Sequence, residues 1–124
     1  MQSIPVYVHG TGEQSRDFTY VRNVVEANLL VMNSDLDNGS SKVFNVGTGN
    51  NISINELLKN INDLLKMKDS TIIHINERKN DRLHSKACVA GIKKELGYYP
   101  KWDLKNGLEE TIEYFHSQLH THSV

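Results

Sequence analysis

The hydrophobic pattern of this chain is clearest between residues 53 and 65. Ile54, Leu57, Leu58, Ile61, Leu64 and Leu65 fall at i, i+3, i+4, i+7, i+10 and i+11, one face of a helix. Ser53 followed by Glu56 supplies a capping box at its start. A second helical stripe, Leu104, Leu108, Ile112, Phe115 and Leu119, follows Asp103, a residue suited to N-capping. A third helix is expected over "VVEANLLVMNS", capped by Asn23 and ending before the "DLDNGSS" loop at residues 35–41. "VAGIKKEL" predicts a short helix stopped by Gly97. Between these lie short β-branched or aromatic runs that predict strands: "IPVYV" at 4–8, "KVFNV" at 42–46 and "TIIHI" at 71–75, with "DFTYV" a further extended stretch. Short strands alternating with amphipathic helices mean an α/β fold.

Composition narrows the class. A chain of 124 residues is expected to form a single lobe over 1–124, with residues 116–124 a frayed tail. Fourteen basic against fifteen acidic side chains leave almost no net charge, so neither nucleic acid nor an anionic membrane is an expected partner. Any anion must be held by a few placed groups. Cys88 is the sole cysteine, which excludes an internal disulfide and a four-cysteine zinc site and suits a reducing compartment. Pro5, His9, Glu13, Arg16 and Asp17 break up the first twenty residues, so neither a signal peptide nor a spanning helix is expected, and the expected location is cytoplasmic.

Several chemistries can be weighed on spacing. "VFNVGTGNNIS" runs strand, Gly47, Gly49, helix, with Asp69 about twenty residues on, but Ile52 stands where a dinucleotide loop has its third glycine. The residues four places after Tyr7, Tyr20, Tyr98, Tyr99 and Tyr114 are Thr11, Val24, Trp102, Asp103 and Gln118, so no tyrosine has a lysine one turn away to lower its pKa. His116 and His120 share a helical face, which suits a metal ion or simply a solvated terminus; His9, His74 and His84 are scattered. A glycine-x-serine-x-glycine nucleophile motif is absent. Arg16 and Arg78 sit in loops beside expected strands, where a guanidinium can be aimed at phosphate oxygens. Converging, they would clamp a diphosphate; the alternative is surface ion pairing of Arg16 with Asp17 or Arg78 with Glu77.

Four segments in order, "GTGEQSRDFTYVRNVVEANLL", "VFNVGTGNNISINEL", "ERKNDRLHS" and "KKELGYYPKWDLKNGLEETIEYF", resemble the C-terminal third of the nucleotide-sugar epimerases and dehydratases of the extended short-chain dehydrogenase/reductase family. The resemblance is closest to UDP-glucose and UDP-N-acetylglucosamine 4-epimerases. It implies the C-terminal substrate-binding lobe of an NAD-dependent enzyme that oxidises the sugar C4 hydroxyl, rotates the keto-sugar and returns hydride to the opposite face. NAD belongs to an N-terminal Rossmann domain that this sequence lacks, so no cofactor is expected on this chain alone. The implied partners are a UDP-sugar and the missing Rossmann half, in the same polypeptide or a separate one. By the resemblance, Arg16 contacts the diphosphate or ribose, Arg78 grips the diphosphate from the other side, and Asp81 meets a ribose hydroxyl. Main chain at Tyr7 and Val8 lines the uracil.

The chain departs from the family pattern at three places. Asn80 replaces the usual glycine before the aspartate, a residue that also tolerates positive φ. Leu83 stands where related enzymes carry arginine, and Cys88 where an aspartate caps the following helix. Without a tyrosine-lysine pair the expected role is binding rather than turnover. Two alternatives stand beside it: a 4,6-dehydratase fragment, and a non-catalytic remnant or interaction module displaying apolar helix faces.

Overall fold

The computed structural model describes residues 4–36, 41–67 and 71–121, with side chains as far as Leu119. Among the described residues, four helices and four short strands fall in two compact units, one of residues Met1–Asp17 and Asn50–Lys86, the other of Phe18–Gly49 and Ala87–Val124.

The first unit contains the strands. β1 (Val6–His9) and β4 (Ile72–Ile75) pair in parallel, with Val8 opposite His74 and His9 opposite Ile75. β2 (Ser15–Arg16) pairs antiparallel with β3 (Ile52–Ser53), which runs directly into helix α2 (Ile54–Leu65). The capping box forms as the spacing predicts: the Glu56 amide donates to Ser53 Oγ at 3.0 Å. Between β1 and β2 the chain turns through Gly10 and Gly12, and the first turn of α2 closes on it. The Asn55 amide group donates to the Thr11 carbonyl at 3.1 Å and to Glu13 at 2.7 Å. Gly12 has φ +81, and a Cβ there would lie 2.0 Å from Asn55 Oδ1, so both conformation and space require glycine. Apolar burial is slight: among the described residues of this unit Val8 is the one fully buried apolar side chain, and no residue of α2 is buried.

The second unit is built around an apolar core. Helices α1 (Val21–Met32), α3 (Ala90–Leu96) and α4 (Leu104–Thr121) belong to it. Ala27, Val89, Ile92 and Tyr98 form the buried cluster, with Leu30, Phe44, Val46, Ala87 and Leu96 against it. Gly97, left-handed at φ +65, stops α3, and Asp103 Oδ1 accepts from the Asn106 amide at 2.8 Å to start α4. α3 opens at Val89 without a side-chain cap, as expected where Cys88 replaces a capping residue.

Three sequence expectations are corrected. α1 begins at Val21, and Asn23 is not its cap. Asn23 is fully buried: its Oδ1 accepts from the amides of Lys101 and Trp102 at 2.9 and 3.1 Å, and its Nδ2 donates to the Trp102 carbonyl at 2.7 Å. These tertiary bonds outweigh the local cap that the residue type suggests. "DFTYV" forms no ladder, since pairing ends at Arg16. Residues 42–46 are not a strand either. The inward alternation is present, with Phe44 and Val46 against the core and Val43 94% exposed, but no β-ladder among the described residues includes them. Of the expected loop at 35–41, residues 37–40 lie outside the described residues.

Candidate functional site

The five candidates for the nucleotide, Tyr7, Val8, Arg16, Arg78 and Asp81, lie in the first unit. The positioning begins at Ser15, which is buried and tied to the loop that carries Arg78. Its amide donates to the Leu83 carbonyl at 2.8 Å, its carbonyl accepts from Ser85 at 3.1 Å, and its hydroxyl meets His84 Nδ1 at 2.8 Å. Strand β2 and the 78–85 loop are thereby knitted together, and Arg16, the next residue, is carried to the loop. Within the loop the Asp81 amide donates to the Arg78 carbonyl at 3.2 Å, closing a four-residue turn whose third position, Asn80, has φ +62. Such a turn needs a residue that tolerates the left-handed region, and asparagine does so better than most. The departure from glycine is thus accommodated.

The result is one cavity of about 330 Å³ lined by Tyr7, Val8, His9, Gln14, Arg16, Ile54, Arg78 and Asp81. The five candidates, Tyr7, Val8, Arg16, Arg78 and Asp81, are brought together in it. Arg16 is oriented from both sides: Nη1 donates to the Ser15 carbonyl at 2.7 Å, and Nη2 is paired with Asp81. Its partner is therefore Asp81, not the neighbouring Asp17. Arg78 has no side-chain hydrogen bond or ion pair among the described residues, so the Glu77 pairing is not made either. One guanidinium is held in place and the other is uncommitted. A diphosphate has negative oxygens for both, and planar guanidinium groups meet them with paired N–H donors.

Three lining residues escaped the sequence reading. His9, Gln14 and Ile54 carry no motif, and His9, His74 and His84 looked scattered. In the structure all three histidines fasten this unit. His9 Nδ1 donates to the Asn76 carbonyl at 3.0 Å, His74 Nδ1 donates to the Gly10 carbonyl at 2.7 Å, and His84 meets Ser15. Opposing positions on β1 and β4 were the available signal, and sequence does not display strand register. Among the described residues no three metal-ligating side chains gather. His120's side chain and His122 lie outside them.

The family model for GDP-mannose 4,6-dehydratase matches residues 1–111. The chain belongs to the NAD-dependent nucleotide-sugar epimerases and dehydratases of the extended short-chain dehydrogenase/reductase family. UDP-glucose 4-epimerase from Thermotoga maritima, solved with UDP-glucose, is 36% identical with a TM-score of 0.83 over 95% of this chain and 37% of its own. Human dTDP-D-glucose 4,6-dehydratase is 28% identical over 91% of this chain and 33% of its length. CDP-abequose synthase of Salmonella typhimurium is 32% identical over 83% of this chain and 35% of its length. The chain thus spans about a third of the length of the curated relatives it matches.

NAD is held together with UDP-glucose in a solved relative, MoeE5, which is 31% identical to this chain. The glycine loop at residues 47–49 is not built as a dinucleotide loop. The Gly47–Gly49 loop follows no paired strand, the Gly47 carbonyl accepts from the buried Tyr98 hydroxyl at 2.9 Å, and Val89 Cγ2 stands 3.3 Å from where a Cβ on Gly49 would be. Asp69, the acidic residue of that reading, lies outside the described residues. No described helix is long and apolar enough to cross a membrane.

Proposed function

We propose that this chain is the nucleotide-sugar binding portion of a UDP-sugar 4-epimerase, completed by a Rossmann half that supplies NAD and the tyrosine-lysine pair. The supporting observation is the single cleft that gathers Arg16, Arg78 and Asp81 with Tyr7 and Val8, leaving Arg78 uncommitted. Arg78 meets the diphosphate first; Arg16 adds a second cation while Asp81 holds it in place and offers a carboxylate to a ribose hydroxyl. The contribution to catalysis is orientation: the nucleotide is fixed so that the sugar is presented at one angle. Likeness to a UDP-glucose 4-epimerase over nearly the whole chain favours that substrate class.

Isothermal calorimetry with UDP, UDP-N-acetylglucosamine and dTDP tests the reading. Charge-assisted hydrogen bonds are worth about 1.5–3 kcal/mol, so Arg78→Ala is expected to weaken UDP binding about 10–100-fold. Arg16→Ala is expected to weaken it less, because that guanidinium already has a carboxylate partner. Unchanged heats in both variants would remove the clamp and leave the remnant or interaction-module reading. Preference for dTDP over UDP would favour the 4,6-dehydratase reading instead. The chain alone is expected to give no sugar interconversion with NAD; measurable turnover would mean the cofactor reading is wrong.

A further inference from the structure

The ion pair of Arg16 with Asp81 leaves its side chains 30% and 36% exposed, and a pair that open to solvent contributes too little to hold a guanidinium at one angle. The angle must come from the backbone beneath it. On one side β2 meets β3, with Ser15 opposite Ser53 and Arg16 opposite Ile52; on the other it meets the 83–85 segment at a parallel bridge between Ser15 and His84. The backbone bonds at that bridge, from the Ser15 amide to the Leu83 carbonyl at 2.8 Å and from the Ser85 amide to the Ser15 carbonyl at 3.1 Å, can be made by any residue other than proline. They do not specify a register. A slip of one residue would exchange the side chains on the two faces of the strand, so a side-chain contact has to forbid it. The contact present is Ser15 Oγ to His84 Nδ1 at 2.8 Å. Ser15 is buried, so its hydroxyl is costly to leave without a partner, and a slip would bring Arg16 to the place it occupies. A hydroxyl both donates and accepts, so the bond is kept whichever protonation state the ring takes. Neither Ser15 nor His84 lines the cleft.

We propose that His84 is a positioning residue for the nucleotide clamp. Its bond to Ser15 pins the register of β2 on the 78–85 loop, and the next residue, Arg16, is thereby presented to the cleft at one angle, with Nη1 on the Ser15 carbonyl at 2.7 Å and Nη2 on Asp81. The proposal rests on the nucleotide-binding reading of the same cleft and adds to it a residue that touches no ligand. Arg78 is set separately, by the turn that closes from the Asp81 amide to the Arg78 carbonyl through Asn80 at φ +62. His84 therefore acts on one arm of the clamp. Its effect is bounded by what Arg16 contributes, because without that guanidinium nothing is left for His84 to position.

The experiment is calorimetry with UDP on the wild-type chain, His84→Ala, His84→Asn, His84→Gln, Arg16→Ala and the double variant of Arg16→Ala with His84→Ala, each checked for fold by circular dichroism. His84→Ala is expected to weaken UDP binding about fivefold. His84→Asn, whose amide reaches the Nδ1 position, is expected to return affinity to within about twofold of wild type, whereas His84→Gln, whose amide reaches the Nε2 position instead, stays near alanine. In the Arg16→Ala background His84→Ala is expected to change affinity by less than about twofold, the coupling of two residues that act as a unit. A merely structural role would weaken binding equally in both backgrounds. Wild-type affinity in His84→Ala, an equal loss in both backgrounds, or equal affinities of the asparagine and glutamine variants would overturn the assignment, while Arg78→Ala would still report on the clamp. The asparagine and glutamine variants decide should His84→Ala fail to fold. Absence of UDP binding to folded wild type would remove the nucleotide reading and this one together.

Discussion

The two units are held together by different physics. The second has an apolar core of Ala27, Val89, Ile92 and Tyr98 and a buried asparagine with three bonds to the Lys101–Trp102 backbone. The first has, among the described residues, one fully buried apolar side chain, Val8, and owes its shape to hydrogen bonds: Ser15 to the 83–85 segment, Asn55 to the glycine turn, His9 and His74 to carbonyls across two strands. Burial is non-directional and tolerates small adjustments, whereas hydrogen bonds fix angles. The unit with little core is the one that, on the proposed reading, holds two guanidinium groups and a carboxylate in register. Stability and recognition are therefore expected to respond to different substitutions, and the following experiments test that separation from the largest effect to the smallest.

Ile92→Ala removes the most completely buried aliphatic side chain of the second unit. A loss of about 3 kcal/mol is expected, read as a fall of about 10 °C or more in melting temperature. Nucleotide affinity of the protein that remains folded should stay within about twofold of wild type. A large change in affinity at constant fold would break the comparison, since no clamp residue belongs to that core.

Asn23→Ala probes the polar centre of the same unit. It leaves the amides of Lys101 and Trp102 and the Trp102 carbonyl without their partner, at an expected cost of about 2 kcal/mol. Thermal melting checks it, and a shift as small as that of an exposed helix position would mean that water replaces the side chain at little penalty. Asn23→Asp should fall in between, because a carboxylate still accepts from both amides but no longer donates to the carbonyl.

These residues also mark what sequence could and could not disclose. The caps at Ser53 and Asp103 and the stop at Gly97 were legible because each is decided within four residues. The role of Asn23 was hidden because its partners lie 78 and 79 positions away, and a local rule for asparagine pointed to a cap. The segment at 42–46 has the alternation of a strand, yet a strand also needs a neighbour, and alternation carries no information about one. At the site, Arg16, Arg78 and Asp81 could be singled out from residue type and resemblance. The ion pair between Arg16 and Asp81 spans 65 positions and depends on Ser15 fastening β2 to the loop, which no spacing rule contains. His9 was missed for the same reason: its significance lies in a carbonyl 67 residues on.

The smallest expected effect on stability carries the sharpest test of the comparison. Asn80 sits at φ +62 in the turn that sets Arg78 and Asp81 on one cleft. Alanine tolerates that region less well than asparagine, by about 1 kcal/mol, whereas glycine adopts it freely. Asn80→Ala should therefore lower the melting temperature by only a few degrees, because the loop contributes no core. Binding should suffer more than stability: a turn that relaxes out of the left-handed conformation swings the Arg78 guanidinium away from Arg16, and UDP affinity is expected to fall about fivefold. Asn80→Gly keeps the turn and should bind UDP within about twofold of wild type. If alanine and glycine bind alike, the turn does not set the clamp, and the precision assigned to the hydrogen-bonded unit resides elsewhere than in this loop.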